Sequence, residues 1–367
     1  MAKSDEPISK PKMAYISFYA MPEVTDAQFK LKKFAFAFDF LFFLQDTFNV
    51  NVFDFIGKNY SFTKKGIQFT YFKKKNNTFF IPWRLFKKVR KLNPDVIYIQ
   101  GLGYSHQIIV LKRFVNSSCK IIVQDHANQL PTGIKRTLFK IADKSVNHYL
   151  FTSKEMATPY LKQGLISSSK KITECVEGST HFKYQPTIKK EPLSFLWVGR
   201  LDKNKDPITI LKAFKKFVSL HPLATLTMIF ENKSLLKTVT SFITLNKLEK
   251  QIKLIGKLSH NEMEYWYQKS RFFILGSHKE GGPISLIEAM ACGCIPVVTK
   301  IPAFKTMTNN GKCGFLFEPG NEKSLFKVLQ ELPTVNYDEL TQKVLNRFHN
   351  ELSHQAIANK LITLFET

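Results

Sequence analysis

Between Ser277 and Val298 the chain reads Ser-His-Lys-Glu-Gly-Gly-Pro-Ile-Ser-Leu-Ile-Glu-Ala-Met-Ala-Cys-Gly-Cys-Ile-Pro-Val-Val, an order of residue types that few folds accommodate. Pro283 suits the first turn of a helix, where its missing N–H costs nothing. Gly293 suits the left-handed position just past a helix end. Ile295 to Val298 reads as a strand buried on both faces, the environment a parallel sheet covered by helices provides. Glu280 falls before the helix and Glu288 about a turn inside it, so the two carboxylates project to different parts of one ligand. The free N–H groups at the helix start, near Ile284 and Ser285, favour an anion.

A second cluster runs Trp197-Val-Gly-Arg200-Leu-Asp-Lys-Asn-Lys205-Asp-Pro207. Ser194 to Gly199 reads as a buried strand. Asp206 suits a helix cap and Pro207 the first helical position. Ile210, Leu211, Phe214, Phe217 and Val218 then recur at helical spacing. Arg200 and Lys205 therefore both fall in a strand-to-helix loop. Ligands of open α/β sheets bind at the carboxyl ends of strands. Two cations there match a diphosphate, the arginine as a planar fork and the lysine as a point charge.

The same alternation continues along the chain. Strands are expected at 13–18, 50–56, 95–100, 120–123 and 149–152. Helices are expected from Thr25 to about Asp46 and at 82–92, 105–114 and 134–142. After a polar, aperiodic stretch at 178–193, strands at 194–199, 224–230, 252–255, 271–275, 295–298 and 314–317 alternate with helices at 207–219, 233–245, 260–268 and 284–292 and from about 321. Strand alternating with helix is the doubly wound pattern. With 367 residues, two domains are the natural division. The expected boundaries are a first domain at 1–180, a linker at 181–193, a second domain at 194–349, and a C-terminal helix at 350–367.

Together the two clusters resemble the motifs of retaining glycosyltransferases of the GT-B fold, the family numbered four, or glycosyl transferases group 1. The resemblance covers residues 194–320 strongly and the first domain weakly. It implies an α/β chain of two Rossmann-like domains facing each other across a cleft, 1–180 binding the acceptor and 194–349 the nucleotide sugar, with residues 350–365 crossing back to the first. It implies that Arg200 and Lys205 hold the donor's diphosphate and that Glu288 binds the ribose. Glu280 would contact the donor sugar near the reacting carbon, beside the main chain of Gly281, Gly282 and Pro283. The base would lie near Phe230-Glu231 and Ile255-Gly256-Lys257. In the first domain it points to His126, which would reach the donor sugar as a second catalytic group. Asp125 is the alternative if the register slips by one, and His106 is a cleft-lining candidate. One departure stands out: many members carry a glycine-rich loop after the first strand, whereas here the first glycine of the chain is Gly57.

The implied activity is transfer of a hexose-type sugar from a nucleoside diphosphate to a glycan or lipid-linked acceptor. The leaving group would be stabilised by Arg200 and Lys205, with no metal and no other cofactor, and no Asp-x-Asp motif of the metal-using GT-A enzymes occurs. A GT-B epimerase or phosphorylase, or a non-catalytic basic protein binding membrane or nucleic acid, are the alternatives. The intact Arg200–Lys205 and Glu280–Glu288 spacing argues against them.

Charge bears on the partners. The formal net charge is +25, and residues 1–190 hold 31 Lys+Arg against 13 Asp+Glu. The stretches Lys73–Lys75 and Arg84–Lys91, the latter with Trp83, Leu85, Phe86, Val89 and Leu92 interleaved, read either as a peripheral contact with an anionic membrane or as a solvated face. No nucleic-acid motif is present, and no such partner is expected. No apolar run approaches the ~20 residues of a membrane span. The first residues lack a signal-peptide core. A cytoplasmic enzyme, peripheral at most to the inner face of the membrane, is the expectation. Five scattered cysteines, Cys119, Cys175, Cys292, Cys294 and Cys313, read as reduced and buried.

Overall fold

A computed structural model describes residues 9–74 and 80–366. The signal-peptide reading and Lys75 fall outside the described residues. The contacts divide the chain into two units, Met1–Gly178 with His354–Thr367, and Ser179–Ser353.

The first unit is built on β1 (Lys12–Met21), β2 (Asn49–Ile56), β3 (Tyr60–Lys64), β4 (Ile67–Lys73), β5 (Val96–Gln100), β6 (Lys120–Gln124), β7 (His148–Phe151) and β8 (Ile172–Glu174). They form one sheet in the order β3-β4-β2-β1-β5-β6-β7-β8. All pairs are parallel except the hairpin β3–β4, whose Lys65-Gly66 turn carries φ of +47° and +80°. Two positive-φ residues match the twist of the flanking strands. Neither this hairpin, nor β8, nor helix Lys154–Lys162 is foreseen by the sequence pattern. Strand β5 is buried at every position, as a central parallel strand must be.

The long helix expected from Thr25 is instead broken. Asp26, not Thr25, caps it by accepting from Gln28 N, and the helix ends at Lys33. A short helix Ala35–Phe38 and a 3-10 turn Asp39–Leu44 follow. Phe38, Leu41 and Leu44 are all buried. Their spacing of three puts them on one face of a tightly wound 3-10 segment, which a regular α-helix would spread. Phe38 and Phe40 pack against Tyr15 of β1, with ring centroids 5.1 and 6.4 Å away. The final helix, His354–Glu366, belongs to this unit and packs on the 3-10 turn. Phe365 meets Phe48 at 5.0 Å, and its carbonyl accepts from Lys120 Nζ at 2.7 Å.

The end of β1 has its own solution to the missing glycine. Lys30 is buried, and its ammonium donates to Tyr19 O at 2.9 Å, Phe55 O at 2.9 Å and Asp54 Oδ1 at 2.8 Å. Gly57, at the end of the neighbouring β2, supplies the close approach: a Cβ there would lie 2.3 Å from Pro22 O.

The second unit is wholly parallel. Strands β9 (Ser194–Gly199), β10 (Thr225–Phe230), β11 (Ile252–Gly256), β12 (Phe272–Leu275), β13 (Ile295–Thr299) and β14 (Phe315–Phe317) lie in the order β11-β10-β9-β12-β13-β14. The strand order reverses between β9 and β12, and a crevice opens at such a switch point. The stretch read as a linker is anchored in this unit. Lys190 is buried and donates to Tyr267 O and Ser270 O, both at 2.8 Å, and Gln268 Nε2 donates to Lys183 O at 2.6 Å. Side chains rather than a regular ladder satisfy this backbone, which is why its sequence shows no period.

On helix Trp83–Leu92 the cations Arg84, Lys87, Lys88, Arg90 and Lys91 are exposed. Leu85, Phe86 and Val89 are buried in the core, leaving Trp83 as its large exposed apolar group. Among the described residues no helix is long and apolar enough to cross a membrane. All five cysteines are free and buried.

Removing one partner of a buried ion pair leaves the other uncompensated and costs about 3–5 kcal/mol. Lys30→Met is therefore expected to lower the unfolding free energy by that amount in urea titration. A change below 1 kcal/mol would show that Asp54 finds another partner.

Candidate active site

Strand β9 delivers the chain to the switch point, and residues 200–206 turn back into helix Pro207–Leu220. Asp202 Oδ1 accepts from Lys205 N at 3.0 Å and closes the turn. Asp206 caps the helix through Thr209 N, as its sequence position suggests, but does so from the left-handed region at φ +42°. Strand β12 ends beside it. Gly276 is required there, because a Cβ would lie 3.0 Å from Asp206 O. The two loops are then laced together. His278 N donates to Asn204 O at 2.8 Å, Lys279 N to Asn204 Oδ1 at 3.1 Å, and Asn204 Nδ2 to Lys279 O at 3.0 Å. His278 Nε2 lies 3.2 Å from Asp206 Oδ2.

This lacing sets Lys205 opposite Glu280. Nζ stands 2.5 Å from Oε1, and each side chain is 12% exposed. Arg200 is more open and meets Asp202 Oδ2 through Nε at 3.1 Å. Arg200 and Lys205 both line a cavity of about 370 Å³. Its other walls are Phe230 and Glu231 at the end of β10, and Lys257, Leu258 and Met263 past β11. The two cations thus share one recess with the strand ends named for the base. Glu231 and Lys257 form an exposed ion pair across it at 2.5 Å.

Gly281 and Gly282 carry the chain from Glu280 to helix Ile284–Ala291. Pro283 is the residue before this helix rather than in its first turn, and Ile284 and Ser285 begin it. Gly293 is left-handed at φ +70°, and β13 is buried throughout. Glu288 points inward from the second helical turn. It is buried, and Tyr267 Oη donates to its Oε2 at 2.9 Å. His260 Nδ1 lies 3.7 Å from its Oε1, with the imidazole stacked on Phe182. Burial pushes the Glu288 carboxyl up to about 7, against the opposing pull of the Tyr267 hydrogen bond. Burial likewise holds His260 below the ordinary imidazole value. Glu288 does not line the cavity itself. It is joined to it through His260, two residues after Leu258 on the loop and helix that do.

In the first unit His126 follows β6, and its Nδ1 is paired with Glu177 Oε2. Both line a cavity of about 520 Å³ with Tyr15, Gln100 and Tyr104. Asp125, the alternative, is occupied in a turn: its oxygens accept from Ala127 N at 3.0 Å and Asn128 N at 3.1 Å. His106 lines a different, larger cavity of the same unit. Sequence reasoning misses Glu177, Tyr267, His260 and Asn204. A carboxylate just past a strand end hints at Glu177, but nothing in a helical tyrosine distinguishes Tyr267 from a core residue.

Residues 179–344 match the family model described as Glycosyl transferases group 1. An uncharacterized glycosyltransferase of Haemophilus influenzae is 26% identical over 72% of this chain and 74% of its own length. The capsular polysaccharide biosynthesis glycosyltransferase CapH of Staphylococcus aureus is 25% identical over 61% of this chain and 64% of its own. An uncharacterized glycosyltransferase of Methanocaldococcus jannaschii is 29% identical over 32% of this chain, a third of its own length at 33%. Among solved structures, sucrose-phosphate synthase from Thermosynechococcus elongatus superposes with a TM-score of 0.68 at 14% identity, covering 97% of this chain and 98% of that one. Anabaena HepE in complex with UDP gives 0.68 at 13% identity, over 97% and 99%. The chain thus carries, over residues 179–344, a domain of the Glycosyl transferases group 1 family. Its fold is the GT-B fold, with one parallel sheet per unit apart from the β3–β4 hairpin.

The buried Glu288 makes stability depend on pH. The folded chain holds the Glu288 proton up to about 7, against an ordinary value of 4.5, so the folded state binds more protons over that interval and loses stability as pH rises through it. The displacement corresponds to on the order of 3 kcal/mol at pH 8. Glu288→Gln keeps an acceptor for Tyr267 and lacks this slope. Denaturant titrations at pH 5 and pH 8 are expected to show the variant gaining on the wild type with pH. A difference that stays constant would count against the burial of this carboxyl.

Proposed function

We propose that the chain is a retaining glycosyltransferase that moves a hexose-type sugar from a nucleoside diphosphate to a glycan or lipid-linked acceptor, with neither metal nor cofactor. The observation that carries this is the Lys205–Glu280 pair beside Arg200 at the switch point of a parallel sheet. A diphosphate entering the recess competes with Glu280 for the Lys205 ammonium. Arg200, with Nε held by Asp202, offers its remaining guanidinium nitrogens to the second phosphate. Glu280, released from Lys205, then accepts hydrogen bonds from donor sugar hydroxyls. Glu288 serves the ribose, and the strand ends at Phe230-Glu231 and Lys257-Leu258 flank the base. HepE's complex with UDP supports a uridine nucleotide as the first donor to test.

In the proposed step the bond from the anomeric carbon to the β-phosphate oxygen breaks. The acceptor oxygen bonds to the same face of that carbon, and its proton passes to the departing phosphate. Negative charge develops on the diphosphate, where preorganised cations contribute most. His126, oriented by Glu177, is assigned a hydrogen bond to the donor sugar. CapH's part in capsular polysaccharide biosynthesis supports a glycan product. A location at the inner face of the membrane is part of the same reading.

A charge-assisted hydrogen bond is worth roughly 1.5–3 kcal/mol, so Lys205→Ala is expected to weaken nucleoside diphosphate binding about tenfold or more. Calorimetry with UDP and GDP checks it, and unchanged affinity for both would remove Lys205 from the site. Glu280→Gln is expected to fold and bind UDP yet lose most turnover with the sugar nucleotide that gives the largest thermal shift in a panel of UDP-, GDP- and ADP-sugars. Full turnover would refute the role of Glu280.

A further inference from the structure

A large recess of the first unit adjoins the His126 cavity, with which it shares Tyr19, Gly103, Tyr104 and Asn128. It holds about 980 Å³, near the upper size of a small-molecule pocket. Phe18, Tyr104 and Tyr160 give it aromatic walls, and Lys74, Lys135 and His106 give it its titratable groups. No carboxylate lines it among the described residues. Nearby acids are already committed: Asp54 to Lys30, Asp125 to the amides of Ala127 and Asn128, and Glu177 to His126.

Lys74 is set for a ligand. Its ammonium makes one hydrogen bond among the described residues, to Phe18 O at 3.2 Å, and lies over the rings of Phe55 and Phe80 at 5.3 and 5.7 Å. An ammonium has three N–H donors, so two remain. Lys135 stands on helix Ile134–Asp143, exposed and without an ion pair among the described residues. Burial and the neighbouring Lys30 both disfavour the charge on Lys74, a tension that an anion would relieve. Neutral walls and two unneutralised cations form a trap for a compact anion, and aromatic faces suit the apolar side of a sugar ring.

We propose that this cavity binds a phosphate-bearing sugar acceptor, the phosphate held between Lys74 and Lys135 and the ring laid on the aromatic wall of Phe18 and Tyr104. Calling the ligand an acceptor rests on the function proposed above; the phosphate site itself does not. Calorimetry on the full chain, with UDP saturating, uses glucose 6-phosphate and glucose as probes. Glucose 6-phosphate is expected to bind at least tenfold more tightly than glucose. Lys74→Gln and Lys135→Gln are each expected to weaken it about tenfold, the worth of one charge-assisted bond, while UDP affinity and a Lys87→Gln control stay unchanged. Lys135 is exposed, so its variant tests the site even where Lys74→Gln disturbs packing.

Equal binding of the two probes, or no effect of Lys135→Gln, would overturn the proposal. Phosphatidylglycerol and phosphatidylcholine vesicles identify the source of the phosphate. Retention on the former that falls in both pocket variants assigns it to a lipid headgroup, and binding of the soluble probe alone assigns it to a free sugar phosphate. Vesicle retention lost only with Lys87→Gln and Lys88→Gln, with no sugar phosphate bound, would move the anion contact to the surface helix and end the pocket reading. A chain that binds glucose 6-phosphate through Lys135 but ignores UDP would sink the donor assignment and leave the pocket standing.

Discussion

Lys205 and Glu280 are 75 positions apart in the chain, and their contact at 2.5 Å is the interaction on which the site depends. It exists because the strand order of the second unit makes β9 and β12 neighbours, so that the loops leaving them run side by side. Side-by-side loops do not guarantee a contact of this kind. Gly276 removes the side chain that would hold them apart, and Asn204 bonds to the backbone of the opposite loop with both ends of its amide. Asp206 holds a strained left-handed conformation while capping one helix and meeting His278. These small terms fix two side chains to within a hydrogen bond, and rigid placement is what electrostatic work on a developing charge requires.

Two acids in this protein show how differently a buried carboxyl can be kept. Asp54 has a full cation, Lys30, within 2.8 Å, and burial still outweighs it in setting its proton affinity. Among the described residues Glu288 has a tyrosine hydroxyl in direct reach and an imidazole at 3.7 Å. The first arrangement serves architecture: one ammonium ties the end of β1 to β2 through Tyr19 O, Phe55 O and Asp54 Oδ1. The second leaves an acceptor with spare capacity beside a loop that opens to solvent, which is the condition a ligand-binding carboxylate has to meet.

Much of the fold could be read in advance because hydrophobic runs in a parallel sheet are unambiguous. Strand Ser194–Gly199 and the helices beginning at Pro207 and Ile284 fall where their runs and prolines place them. The misses have physical causes. Phenylalanines at 36, 38, 40, 42 and 43 give no single helical face, and the chain divides them between the short helix Ala35–Phe38 and the 3-10 turn Asp39–Leu44. Residues 181–193 have no period because side chains from elsewhere in the unit, Gln268, Glu264 and Arg271, satisfy part of their backbone. At the site, residues that carry charge in loops were legible: Arg200, Lys205, Glu280. Those that act by orienting others were not, since Tyr267 and Asn204 declare themselves only through partners distant in sequence.

The final helix, His354–Glu366, completes the first unit, so the second unit is an insertion that the chain enters at 179 and leaves at 353. During synthesis the whole parallel sheet of the insertion emerges before the helix that covers Phe43 and Phe48. Domains fold largely as they emerge. The first unit must therefore wait, with that aromatic face bare, while its guest folds, and its maturation is timed by the emergence of helix His354–Glu366.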